Sequence, residues 1–179
     1  MEHSLDTLEA ILARHASALA EDFTPYRNHA CRVVHVCAAL AERELCDETL
    51  EKMQIAVAFH DLGIWTDRTF DYIAPSMQRA REYLYANKRV AWVPEIDAMI
   101  LEHHKLRKYS AQPGWLVEAF RRADWVDVTY GARSFGLPRS LVRDLFRRYP
   151  DHGFHRRLVQ LSVQRASQHP LSPLPMMRY

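Results

Sequence analysis

The sequence predicts an all-α fold, a compact bundle of about seven or eight helices in a single domain spanning residues 1–179. Apolar residues recur with helical spacing from end to end of the chain, and no segment shows a convincing alternating strand pattern. The chain contains 9 Pro against only 5 Gly. Because several prolines stand where helices would begin, few positions are left for tight hairpins.

Local start and stop signals predict each helix in turn. Thr24 and Pro25 suit a cap and a first helical position, and Asp47 can cap a later helix that ends at Gly63. Further prolines open three later helices, and Gly131 stops another. The predicted helices cover about 5–20, 25–44, 47–63, 75–87, 94–106, 115–130, 138–149 and 153–167, with a loop at 107–114 and an extended tail at 169–179.

Charge is distributed unevenly along the chain, although the formal net charge is only +2. From residue 131 onward nine Arg and two Asp give +7, so the first 130 residues carry −5. We interpret the Arg-rich end as the solvated face of two amphipathic helices, with attraction of a phosphorylated ligand as the alternative. No recognition helix or aromatic-basic ribonucleoprotein motif occurs, so a small molecule is favoured over nucleic acid.

The sequence predicts a cytoplasmic protein with no membrane partner. No apolar run approaches the roughly 20 residues that a membrane span needs. The first ten residues are acidic and amphipathic, unlike a signal peptide. Cys31, Cys37 and Cys46 cannot all pair with one another and form no CxxC motif, which favours reduced thiols.

Several histidines and acids fall on helix faces that the apolar spacing predicts to be buried. A buried carboxylate is costly unless it is paired or bound to a metal. One such residue is better explained as a satisfied core residue, but four helices that each direct a ligand-type group inward predict a shared site. These groups are His29, His60 with Asp61, His103 with His104, and Asp124.

The chemistry of such a set suits a divalent transition metal. Two imidazoles and two carboxylates match a borderline ion such as Mn, Fe, Co, Ni or Zn. Four protein ligands on a six-coordinate ion leave positions for a water of lowered pKa and for a phosphoryl oxygen. Neither a nucleotide P-loop nor a GxSxG elbow is present, and no cysteine has a partner that suggests a nucleophile.

The order His, then His-Asp, then Asp resembles the signature of the HD superfamily of metal-dependent phosphohydrolases. The matching segments read YRNHACRV, VAFHDLGIW and FRRADWVDV, and they cover roughly residues 26–130. The resemblance implies an HD-like core at about 24–131, followed here by the Arg-rich helices at 132–179. It also implies one bound transition metal, sometimes two, and hydrolysis of a phosphomonoester or phosphoanhydride.

The resemblance assigns roles residue by residue. The implied metal ligands are His29, His60, Asp61 and Asp124. Asp61 would also orient the attacking water, and both histidines of the 103–104 pair, His103 and His104, would act on the substrate phosphate. Asp127 is a candidate acceptor for the hydrogen bond of a ligand histidine. The candidate substrate-binding residues are Arg32, Asp67, Arg68 and Lys105.

Three of the four substrate-binding candidates also have a structural interpretation. An ion pair with a neighbouring acid would explain Arg32 equally well. Asp67 could simply cap a turn, which we favour slightly. Lys105 lies near a predicted helix end, where a cation favours the helix dipole.

Departures from the family pattern narrow the choice of activity. The Glu-Asp pair of alarmone hydrolases is missing, and Ile64 stands where cyclic-di-nucleotide phosphodiesterases usually have Lys. No histidine lies between His60 and His103, and Ala74 stands where a further metal ligand would be sought. These differences count against a complete two-metal site. The sequence therefore predicts a phosphohydrolase of a small, nucleotide-like substrate, and a homo-oligomer remains open.

Two alternatives to a hydrolase also remain open. One is a dinuclear iron oxygenase on the same fold, which two irons per chain would favour. The other is a non-catalytic module that binds a nucleotide, although a pure binder has less need of a complete ligand set.

Overall fold

The computed structural model describes residues 4–42 and 45–177, and within them the only regular structure is helical. Eight α-helices have nine residues or more and two are single turns, which confirms the predicted all-α fold. Within the same residues no helix combines the length and apolar character that a membrane crossing requires. The helices are α1 Asp6–Arg14, α2 Ala16–Leu19, α3 Phe23–Leu40, α4 Asp47–Phe59, α5 Gly63–Thr66, α6 Ile73–Ala86, α7 Val93–Glu102, α8 Val117–Val128, α9 Arg139–Arg148 and α10 Phe154–Gln168.

The observed and predicted helices differ near the N-terminus, at the end of the second helix and in the tail. The predicted helix at 5–20 is interrupted at His15, which leaves the helical region with φ −109° and ψ 11°. The predicted end of the second helix, Glu44, lies outside the described residues. The tail is not simply extended, because a 3-10 turn at Pro175–Met177 buries Met176 against the core.

Gly63 was expected to stop the third helix, but that helix ends at Phe59 and Gly63 begins α5. A Cβ atom at this position would lie 2.7 Å from the carbonyl oxygen of Tyr72 and 3.0 Å from the hydroxyl of Ser76. The Gly63 amide donates to that Ser76 hydroxyl at 3.0 Å. Glycine therefore allows the turn after α4 to pack directly against the start of α6.

Helices α3 and α4 form the centre of the molecule. Helix α3 packs against α1, α4 and α8, and α4 also contacts α6 and α7. The second half of α4, up to Phe59, is entirely buried. Away from this centre, α9 buries only Val142 and Leu145, and α10 buries only Phe154. The Arg-rich end thus consists of two helices with wide solvated faces.

The three cysteines are free thiols. Cys31 and Cys37 are buried on α3, where they contribute to its packing, and Cys46 is exposed. Burial raises the pKa of the Cys31 thiol to about 12. Cys31 therefore acts as a small apolar residue of the core.

Glu118, at the start of α8, joins the loop at 107–114 to the helix. Its carboxylate accepts hydrogen bonds from the Tyr109 amide at 2.9 Å, from Arg121 and from Arg122. Partial burial would raise the pKa of Glu118, but these donors outweigh it and lower the pKa to about 2. A carboxyl whose pKa is lowered by folding stabilises the fold above its unfolded pKa of about 4.3.

We expect Glu118→Gln to remove part of the acid sensitivity of the protein. In the wild type this contribution to the free energy of unfolding is lost as the pH falls from about 4.5 to 2. Urea unfolding measured from pH 7 to pH 2.5 gives the comparison. The difference in the free energy of unfolding between wild type and variant should be largest near neutral pH and should become smaller as the pH falls. A gap independent of pH would contradict the assigned pKa.

Candidate metal centre

The four predicted metal ligands converge at the centre of the molecule. His29 lies on the inner face of α3, His60 and Asp61 lie in the turn after α4, and Asp124 lies on α8. All four are buried. The Nε2 atoms of His29 and His60 are 3.1 Å apart, and Oδ1 of Asp124 lies 3.7 and 3.8 Å from them. Asp61 approaches Nε2 of His60 to 3.3 Å.

His103 joins this group from the end of α7. Its Nε2 atom lies 3.3 Å from Oδ1 of Asp61, and its side chain has no solvent exposure. The sequence predicts a role on the substrate phosphate for this residue, whereas its buried position is that of a ligand-type group. We refer to His29, His60, Asp61, His103 and Asp124 as the His-Asp cluster.

Hydrogen bonds on the far side of each ring determine what the histidines present to the cluster. Nδ1 of His60 donates to the Val57 carbonyl at 2.7 Å, and Nδ1 of His103 donates to the Ile100 carbonyl at 2.6 Å. Since a carbonyl oxygen can only accept, both Nδ1 atoms carry a proton. In a neutral ring the Nε2 atom then presents a lone pair. The same holds for His29, whose Nδ1 donates to a carboxylate.

When all three rings are neutral, the His-Asp cluster therefore contains acceptors facing acceptors. Three imidazole lone pairs and two carboxylates meet in a buried space, where polar atoms normally have partners. In the described part of the chain, both carboxylate oxygens of Asp124, Oδ1 of Asp61 and Nε2 of His103 lack a hydrogen-bond partner. A cation beside His29 and His60 would give these carboxylates a partner, whereas Nε2 of His103 faces Oδ1 of Asp61 at 3.3 Å.

The spacing of the ligand atoms also suits an ion. Two ligand atoms that each lie about 2.1 Å from one metal are roughly 3–4 Å apart. The closest contacts between neighbouring ligand atoms of the His-Asp cluster run from 3.1 to 3.8 Å, and the ligand atoms of His29, His60 and Asp61 all lie within 4.8 Å of one another. The buried His-Asp cluster could therefore hold a metal ion, which agrees with the metal-binding prediction at this coarser level.

Electrostatics favour positive charge at the same point. Burial opposes the charged form of His60, but Asp61 and Asp124 outweigh it and raise its pKa to about 9. Burial would raise the pKa of Asp61, yet His60 and His103 hold it well below its ordinary value. Burial leaves the pKa of Asp124 raised. Without a metal ion, a proton therefore resides on His60, whose Nε2 lies 3.1 Å from Nε2 of His29 and 3.3 Å from Asp61. The carboxylates stabilise positive charge at this point, and a metal ion would take the place of that proton.

Asp127 contacts His29, one of the predicted metal ligands, at the ring nitrogen that faces away from the His-Asp cluster. It accepts the Nδ1 proton of His29 at 2.6 Å and a second hydrogen bond from Arg32 at 3.0 Å. Burial would raise the pKa of Asp127, but His29 and Arg32 lower it to about 2. The arrangement matches the predicted role of Asp127 as the acceptor for a ligand histidine.

Arg32 is buried and directed toward this support rather than toward a substrate space. Besides Asp127, it donates to the Tyr149 carbonyl at 2.7 Å, and its guanidinium lies over the Phe146 ring at 4.3 Å. Arg32 therefore forms an ion pair with Asp127, which is the alternative to substrate binding that the sequence also allowed.

The structure reveals two further neighbours that the sequence did not indicate. The Phe154 ring stacks on His29 with centroids 4.1 Å apart, so the start of α10 covers this ligand. The Tyr72 hydroxyl lies 2.5 Å from Nε2 of His104. Tyr72 lies two residues before Ala74, the position at which a further metal ligand would be expected. A polar aromatic residue in the segment before Pro75 is therefore the sequence signal for this contact.

His104 forms the solvent-facing edge of the site. Its Nδ1 lies 3.7 Å from Oδ2 of Asp124, and its side chain is 21% exposed while those of the five cluster residues are almost fully buried. Burial and the neighbouring His103 hold the pKa of His104 well below its ordinary value, so the ring is neutral near pH 7. His104 is the group placed to meet a ligand that approaches from solvent.

The other substrate-binding candidates lie outside the cluster. Asp67 accepts hydrogen bonds from the Thr66 hydroxyl at 2.7 Å and from Arg79 at 3.1 Å, so the contacts of its carboxylate among the described residues are with side chains rather than with the amide of a turn. Lys105 contributes its backbone carbonyl to Arg121 at 2.8 Å. Arg68 is exposed and lines a separate cleft beside α10.

Comparison with known proteins adds no assignment. A scan against protein-family models, a search of curated proteins and a search of solved structures each found no match to this chain. Its function must therefore be inferred from the ordered motif and from the geometry of the His-Asp cluster.

Proposed function

We propose that this protein is a metal-dependent phosphohydrolase of the HD type that acts on a small phosphorylated, nucleotide-like substrate. The observation that carries the proposal is the buried set of imidazoles and carboxylates at the centre of the fold, several of whose polar atoms have no hydrogen-bond partner among the described residues. The residues that form it follow the order His, His-Asp, Asp along the chain. A cytoplasmic location and a single domain over 1–179 belong to the same proposal.

In this proposal four residues would bind the metal ion, and one of them would also orient the attacking water. His29, His60, Asp61 and Asp124 would hold one divalent ion of the Mn, Fe, Co, Ni or Zn class. Such an ion polarises a phosphoryl oxygen and lowers the pKa of a bound water. Asp61, whose second oxygen faces His103, would orient that water.

His104 would act at the side from which substrate enters. Because its ring is neutral, its Nδ1, which lies 3.7 Å from Asp124, would donate a hydrogen bond to a phosphoryl oxygen on which charge develops beside that carboxylate. The Tyr72 hydroxyl, 2.5 Å from its other nitrogen, would fix the orientation of the ring.

A hydrolysis screen tests the proposal directly. The protein, purified and analysed for bound metals, is incubated with a panel of phosphorylated metabolites and supplemented in turn with Mn, Fe, Co, Ni or Zn. We expect phosphate release from at least one nucleotide-like compound that requires a divalent transition metal and stops on chelation. Protein that contains no transition metal under any of these conditions and releases no phosphate would overturn the proposal.

A dinuclear iron oxygenase is a second candidate, and one observation favours it. Asp61, His103 and His104 form a second group whose ligand-type atoms lie within 4.8 Å of one another. Because Asp61 belongs to both groups, it could bridge two ions. The second group contains only three protein ligands, so an ion there would be held less tightly than in the first.

Alanine variants of the two neighbouring histidines separate the candidates. For a mononuclear hydrolase we expect His103→Ala and His104→Ala to lower turnover at least tenfold while the metal content stays near one ion per chain. Elemental analysis of each variant beside wild type gives the answer. If wild type contains two irons per chain and either variant contains one, the oxygenase replaces the hydrolase.

A further inference from the structure

A cationic cleft lies between α10 and the loop that follows the His-Asp doublet. It has a volume of about 500 Å³, which is within the usual range of small-molecule pockets. No acidic residue lines it. The lining residues that matter for charge and stacking are Trp65, Arg68, Phe70, Arg157, Arg165 and His169.

Two of the arginines are anchored by one nitrogen each. Nε of Arg157 donates to Asp22 at 3.0 Å, and Nε of Arg165 donates to the Ser172 carbonyl at 3.3 Å. Their terminal nitrogens have no acceptor among the described residues. The side chain of Arg68 contacts no acceptor within residues 4–42 and 45–177. Three guanidinium groups therefore present donors to one cleft, and Asp22, the acid that contacts Arg157, is already shared with Trp65.

The inner wall of the cleft is aromatic and rigid. Trp65 donates its indole N–H to Asp22 at 2.9 Å, so the same carboxylate joins this wall to Arg157 on the opposite wall. Trp65 also packs on Tyr26 with ring centroids 4.8 Å apart, and Tyr26 lies 6.1 Å from the ring of His60. One aromatic layer separates the cleft from the His-Asp cluster.

We infer that this cleft is a binding site for a small phosphate-bearing anion, distinct from the metal centre. Arginine donors in a fork match phosphate oxygens in pairs, and Trp65 and Phe70 supply apolar surface beside them. The site does not depend on the proposed hydrolase activity, because none of its lining residues belongs to the His-Asp cluster. The same chemistry would accept either a distal phosphate of the substrate or a separate phosphorylated ligand.

Calorimetric titration of the purified protein with inorganic pyrophosphate, without added divalent metal, tests the inference. We expect the double variant Arg68→Gln/Arg165→Gln to bind pyrophosphate at least about tenfold more weakly than wild type, since each guanidinium makes charge-assisted hydrogen bonds. Arg143→Gln/Arg156→Gln is the matched control, because it also removes two charges, from exposed positions of α9 and α10 outside the cleft. Its affinity should stay within about twofold of wild type.

The metal centre is tested separately in the same titration. Asp61→Ala, which alters the His-Asp cluster, should bind pyrophosphate as wild type does. Loss of binding in Asp61→Ala together with retention in the double variant would place the anion at the metal centre and overturn the inference. Tighter binding of a single-stranded oligonucleotide than of pyrophosphate, with a steep salt dependence, would also overturn it in favour of a nucleic-acid surface.

Steady-state kinetics distinguish the two sources of phosphate, provided that the screen finds a substrate. A KM that rises in the double variant only for substrates with more than one phosphate identifies the cleft as part of the substrate site. Unchanged KM values with weakened pyrophosphate binding identify a separate ligand. The inference holds in both cases, and its failure is visible in the binding data alone, whatever the outcome of the hydrolysis screen.

Discussion

In the proposed hydrolase, replacing Asp61 by alanine is expected to abolish both metal binding and the hydrolysis of an aryl phosphate. The carboxylate contacts His60 on one side and His103 on the other, both at 3.3 Å. Its loss removes a ligand and leaves both histidines without the charge that orients them. We expect turnover to fall to the uncatalysed background and metal content to fall well below one ion per chain.

Asp144→Asn is the control for this experiment. It removes one acid from an exposed position of α9, where the carboxylate contacts Arg147. Metal content and turnover should match wild type. Activity of Asp61→Ala near the wild-type level would mean that the His-Asp doublet supports the fold without taking part in catalysis.

The second large effect is expected at Asp127, which has no direct place among the proposed ligands. Asp127→Ala leaves the buried guanidinium of Arg32 without its carboxylate and the His29 ring without its acceptor. An unpaired buried charge of this kind costs about 3–5 kcal/mol of unfolding free energy. Loss of the support behind a ligand histidine typically weakens metal binding about 10–100-fold. Urea unfolding and metal titration measure the two losses.

A double variant separates these two roles of Asp127. In Arg32→Met/Asp127→Leu the buried charge and its partner are removed together, and the methionine can pack on Phe146, which Arg32 now covers. Stability should recover by several kcal/mol, because an apolar pair of similar volume can replace a buried ion pair. Metal affinity should stay low, since His29 still lacks its acceptor. If affinity recovers together with stability, Asp127 acts on the metal site only through the fold.

Two prolines that predicted helix starts have different positions in the observed helices. Pro75 was expected to open the fourth helix, but that helix begins at Ile73 with the proline inside its first turn. A proline there costs no hydrogen bond, because the first amide groups of a helix have no partner within it. The start at Pro138 agrees with the structure, because that residue is the cap of α9.

The sequence by itself determined the helical fold and the faces that each helix buries. Apolar spacing with a period of 3.6 residues is a local property, so it could be read for α3, α4 and α8 before any tertiary contact was known. The same spacing placed His29, His60 and Asp124 on buried faces. It could not say how closely they approach one another.

Only the tertiary structure decided what those side chains meet. Asp127 and His29 are separated by 98 positions in the chain, and Arg32 and Tyr149 by 117. Such contacts depend on how helices pack, and helical periodicity carries no information about which helix lies opposite. The proton positions on His29 are decided by the same distant acceptor. The cleft beside α10 arises in the same way, because Arg68 and Arg165 are brought together by packing rather than by any local motif.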